Sequence, residues 1–64
     1  MQNRLKEIRL KQGLTQQEIA FQANISLTHL RNIEYKKVIP SIEVALKIKN
    51  VLGCENVEEV FSLD

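Results

Sequence analysis

A chain of 64 residues is one domain's worth, close to the lower limit for a core without staples, since a chain this size buries only about 60% of its unfolded surface. The formal net charge is +1, and a lone cysteine, Cys54, excludes an internal disulfide and a cysteine-built metal cluster. No apolar run approaches the roughly 20 residues of a membrane span, and no signal-peptide core opens the chain, so a cytoplasmic protein with no membrane contact is expected.

In chain order the spacing predicts helices and no strands, because few β-branched residues alternate. The first helix is expected from Gln2 to Gln12, stopping at Gly13. The second opens on Thr15-Gln16-Gln17-Glu18, a capping box in which Thr15 and Glu18 satisfy orphan N–H groups reciprocally, with Leu14 and Ile19 as its hydrophobic staple. It turns Ile19, Ala20 and Ala23 inward, small residues where another helix must come close. Asn24, which tolerates a left-handed backbone, separates it from a third helix capped by Ser26 and stapled by Ile25 and Leu30.

At about 100° per residue, Leu30 and Ile33 share the buried side of this third helix, while Leu27, Thr28, Arg31, Asn32 and Tyr35 gather on the other. Arg, Asn and Thr can form hydrogen bonds with base edges, and Leu can touch a thymine methyl. Two helices too short to stand alone, joined by a tight polar turn, read as a helix-turn-helix.

A fourth helix is expected from Ser41, after Pro40, burying Ile42, Ala45, Leu46, Ile48 and Leu52 and ending at Gly53. A short fifth helix, capped by Asn56 with Glu59 three residues on, offers Val57, Val60 and Phe61 to the core. Arg9 lies on the inward face of the first helix beside Ile8, and Glu34 on the inward side of the third, one turn after Leu30. Each alone would be a costly buried charge, so the two are expected to pair.

Charge is unevenly spread. Residues 1–40 hold seven basic side chains (Arg4, Lys6, Arg9, Lys11, Arg31, Lys36, Lys37) against Glu7, Glu18 and Glu34. Residues 41–64 hold Lys47 and Lys49 against Glu43, Glu55, Glu58, Glu59 and Asp64. A basic half containing the helix-turn-helix suits one DNA-facing side, the bland alternative being a solvated face. His29 sits at the border of the buried stripe and reads as packing or a phosphate contact, and Cys54 as incidental.

The chain resembles the Cro/CI-type (Xre) family of helix-turn-helix regulators of bacteria and phages over Arg4–Phe61. The resemblance is carried by Arg4-Leu5-Lys6-Glu7-Ile8-Arg9, Gly13-Leu14-Thr15-Gln16, Ala20, Ile25-Ser26, Ile33-Glu34 and Pro40-Ser41. It implies an all-α, compact five-helix lambda-repressor-like domain spanning residues 1–64. It also implies that Gln16 clamps a phosphate, that Leu27, Thr28, Arg31 and Asn32 face the major groove, and that Ser26 and Tyr35 lie near the DNA backbone. A salt bridge between Arg9 and Glu34 is implied as well, with spare Arg9 donors near a phosphate. The family usually has Gly where Asn24 and Lys36 stand. Leu10 and Phe21 fall where it is normally polar, and could cover one another or form a patch for a protein partner.

The function expected is sequence-specific binding of double-stranded DNA by a transcriptional regulator, with repression as the expected role. Gln16, Ser26, Tyr35, Lys36, Lys37 and Arg9 would hold phosphates, and Leu27, Thr28, Arg31 and Asn32 would read bases. One recognition helix covers too few base pairs, so a homodimer on a pseudo-palindrome is expected, with Val51, Val57 and Leu63 as interface candidates and a core use of Val51 equally expected. The alternative is an antitoxin-like module whose main partner is a protein. An enzyme is disfavoured by inventory: there is no Gly-rich phosphate loop and no Cys/His cluster, and neither a cofactor nor a small-molecule ligand is expected.

Overall fold

A computed structural model describes residues 2–62. The order is β1 (Gln2–Asn3), α1 (Leu5–Lys11), α2 (Gln16–Ala23), α3 (Leu27–Glu34), α4 (Ile42–Leu52), a 3₁₀ turn (Val57–Glu59) and β2 (Phe61–Ser62). Four helices form the domain, not the five expected.

Helix starts follow the caps read from the sequence. The Thr15 hydroxyl accepts from the Glu18 N–H while the Glu18 carboxylate accepts from the Thr15 N–H, closing the capping box of α2. Ser26 caps α3 through the His29 N–H, and Ser41 caps α4 through the Val44 N–H. Helix ends share one geometry, in which two N–H groups fold back on the last turn. In α2, Ile25 donates to the Ala20 carbonyl and Asn24 to that of Phe21; in α3, Lys37 donates to Asn32 and Lys36 to Ile33. Asn24 (φ 57°) and Lys36 (φ 65°) therefore occupy the left-handed region without being glycine. For Lys36 that conformation costs about 1–2 kcal/mol.

The core is one cluster. Leu5, Ile19, Leu30, Ile33, Ile48 and Val60 are fully buried, and Ala20 and Ala23 let α2 pack closely on its neighbours α3 and α4.

Both chain ends depart from the sequence expectation. Helix α1 begins at Leu5 because Asn3 diverts the backbone: its Oδ1 accepts from the Leu5 N–H at 3.0 Å, and its Nδ2 donates to the Ile33 carbonyl at 2.8 Å. The residues before it are extended and pair antiparallel with β2, Gln2 opposite Ser62 and Asn3 opposite Phe61, and the Arg4 N–H donates to the Val60 carbonyl. In place of a fifth helix there is one 3₁₀ turn. The Glu59 carboxylate accepts from the Glu55 and Asn56 N–H groups, and β1 then draws the chain out straight from Phe61. Phe61 and Val60 still reach the core as expected.

Helix α4 buries Ala45, Ile48 and Leu52, but Ile42 and Leu46, also expected inside, are exposed. They form the neighbouring stripe, and no described element lies over it.

Candidate nucleic-acid interface

The helix-turn-helix is locked from below by the charge pair inferred from the sequence. Arg9 Nε donates to Glu34 Oε1 at 2.8 Å and Arg9 Nη2 to Glu34 Oε2 at 3.1 Å, a two-point fork. Arg9 Nη1 donates to the Leu14 carbonyl at 3.0 Å, so one guanidinium joins α1, the turn before α2, and α3. The Glu34 side chain is 1% exposed. Such a pair organises more than it stabilises, yet removing one member strands a buried charge, at about 3–5 kcal/mol.

A second layer rests on this pair. Gln16, at the start of α2, donates from Nε2 to Glu34 Oε2 at 3.0 Å and to the Tyr35 hydroxyl at 3.4 Å. Its Oε1 accepts from Arg31 Nε at 3.1 Å. The run Arg9–Glu34–Gln16–Arg31 leads from the buried scaffold to the exposed face of α3. Beside it, Lys6, Thr15, Gln16 and Tyr35 border an open hollow of about 530 Å³ with Arg9 and Glu34 at its floor.

On α3 itself, Thr28 and Arg31 are exposed and Asn32 is half-buried. Leu27, expected among the base-reading residues, is half-buried and packs against the core, so only part of it faces out. Ser26, Tyr35, Lys36 and Lys37 flank this stripe at its two ends, all exposed. Arg9 is buried, with three of its five donors occupied. His29 is half-buried at the edge of the same helix.

Residues 5–58 match the helix-turn-helix family HTH_3, and together with the charge-locked α2–α3 pair this settles the family. The chain belongs to the Cro/CI-type (Xre) helix-turn-helix family, whose members are DNA-binding transcriptional regulators. A relative from Methanothermobacter thermautotrophicus is 33% identical over 64 residues, covering 100% of this chain and 93% of its own. Two relatives from Archaeoglobus fulgidus are each 33% identical over 64 residues, covering all of this chain and 90% and 89% of theirs. All three are described as uncharacterized HTH-type transcriptional regulators, and all three are archaeal, whereas the resemblance was drawn to bacterial and phage members.

One expectation needs correction around this Xre frame. Leu10 and Phe21 do not cover one another: they are 58% and 86% exposed. Val51 and Val57, expected at a dimer interface, are half-buried: each packs against the core, the other use expected of Val51, and keeps part of its surface exposed, while Leu63 lies outside the described residues. Other apolar side chains left in solvent are Ile39 and Ile42, 76% and 75% exposed, with Val38 and Leu46 beside them. Sequence reasoning also missed the inward role of Gln16. Nothing local to residue 16 signals it, since all three of its partners come from α3 and the residue after it, at sequence distances of 15 to 19.

Proposed function

We propose that this protein is a sequence-specific, double-stranded-DNA-binding transcriptional regulator that lays α3 in the major groove and acts in the cytoplasm as a repressor. One observation carries the reading: α3 holds a polar outward stripe that folding does not use, on a helix anchored to the scaffold through Glu34. Thr28, Arg31 and Asn32 read base edges, Arg31 favouring guanine and Asn32 adenine, while the outer part of Leu27 meets a thymine methyl. Ser26, Tyr35, Lys36 and Lys37 hold phosphates and set register, joined by the remaining Arg9 donors.

Reading one half-site gives too little discrimination, so the operator is a pseudo-palindrome bound by two copies. The exposed apolar stripe supports self-association. Ile39, Pro40, Ile42, Ala45, Val57 and Phe61 line a shallow apolar groove on the α4 side. Glu58 lies at its edge.

Selection from a random duplex pool at two salt concentrations tests the reading. A two-fold-related motif with half-sites one helical turn apart is expected, surviving at the higher salt. Recovery of no motif, with all affinity lost as salt rises, defeats it, because phosphate attraction alone behaves that way.

The nearly complete exposure of Phe21 favours one other role, contact with a protein partner through the outer face of α2, as in an antitoxin. Co-purification of a neighbour-encoded protein, lost on Phe21→Ser, is its expected signature.

A further inference from the structure

We propose that Gln16 is a specificity-determining positioning residue: it holds the Arg31 guanidinium in a fixed orientation for base reading, instead of clamping a phosphate with its own amide. The inference rests on the DNA-binding reading above and adds to it a residue that touches no base.

The orientation of the Gln16 amide follows from its neighbours. Glu34 is a buried carboxylate that can only accept, so it draws the Nε2 end of Gln16 inward, at 3.0 Å. The Oε1 end must then point outward, where Arg31, which can only donate, meets it through Nε at 3.1 Å. Both Nε2 hydrogens have acceptors, in Glu34 and the Tyr35 hydroxyl, so the amide has no donor left for a phosphate. Turning Nε2 toward DNA would remove a partner from a carboxylate 1% exposed, with a phosphate anion drawn closer.

Arg31 gains what Gln16 gives up. With Nε engaged, its two terminal nitrogens remain free, and these form the fork that meets guanine O6 and N7. A long, exposed side chain thus meets DNA already arranged, which removes part of the ordering cost of binding. The buried charge pair therefore bears on base choice through two successive contacts, Glu34 to Gln16 and Gln16 to Arg31.

The test compares native protein, Gln16→Met, Arg31→Ala and the double variant. Each is titrated with the selected duplex, a duplex with the Arg31-read G·C pair reversed, and a random duplex. Gln16→Met is expected to lose about tenfold in preference for the G·C pair, while random-duplex affinity stays within about twofold. In the Arg31→Ala background the same change should do nothing further, since its only route is gone. A uniform loss on all three duplexes with base preference intact overturns the proposal and makes Gln16 a phosphate clamp. If native protein prefers no duplex, the DNA-reading function fails along with it. If preference is blurred by Arg31→Ala but not by Gln16→Met, only the positioning role fails. The Arg31 Nε–H in native free protein gives a readout independent of any variant's folding: slowed exchange with water is expected, and free exchange overturns the claim.

Discussion

Two faces of this domain carry more than folding needs, and they do so with opposite chemistry. The face of α3 ends in Thr28, Arg31, Asn32 and two lysines, tied through Gln16 to a buried charge pair. The face made by the α3–α4 loop and α4 ends in Val38, Ile39, Ile42 and Leu46, with none of the described residues laid over it. Polar groups held in fixed positions suit discrimination, because each unmatched donor is costly. Exposed aliphatic groups suit association, which is driven by area and tolerant of detail. A domain this small has little interior to spare, and these two chemistries sit on separate surfaces.

Arg9→Ala should break the comparison most severely. Thermal or urea unfolding should show a loss of about 3–5 kcal/mol from the stranded Glu34, enough to threaten a domain whose total is of order 5–15 kcal/mol. Asn32→Ala should sharpen it: discrimination at one base position falls by about 1–3 kcal/mol in competition titrations, with other positions unchanged. Ile42→Glu should separate the faces. Sedimentation should show the monomer favoured, while stability moves by no more than about 0.5 kcal/mol because the side chain is already in solvent.

Lys36→Gly divides stability from binding at one residue. Relief of the left-handed strain, less glycine's extra freedom in the unfolded chain of about 0.4–1 kcal/mol, should leave a gain of up to about 1.6 kcal/mol. Affinity for every duplex should fall alike, with the salt slope shallower by about one ion. The smallest effect belongs to Glu18. Hydrogen bonds from the Thr15 backbone N–H and then its hydroxyl hold the Glu18 carboxyl below its usual range. The ionised form is therefore favoured by folding, and its contribution is present above the ordinary carboxylate range and lost as pH falls through the lowered value. Glu18→Gln should flatten the acid side of a stability–pH curve slightly, and leave neutral and alkaline stability profiles parallel.

Much of this was legible in the sequence because it is written in local grammar. Thr15 with Glu18, Ser26 and Ser41 mark three helix starts, Asn24 and Gly53 mark ends, and the inward positions of Arg9 and Glu34 demand each other. What escaped depends on tertiary neighbours. Gln2–Asn3 and Phe61–Ser62 are too short to show a strand's alternation, and each becomes extended only because the other lies beside it. Ile42 and Leu46 follow the same helical period as the core residues, and only the lack of a covering element leaves them outside. Gln16 offers an amide that could face either way, and its direction is decided by a carboxylate on another helix.

Asn3 has a mechanical consequence. Its backbone belongs to the two-strand ribbon joining the start and finish of the described chain, and its side-chain amide grips the Ile33 carbonyl in the last turn of α3. Peeling that ribbon apart loosens the grip, so a pull applied to the ribbon reaches α3 through a single asparagine.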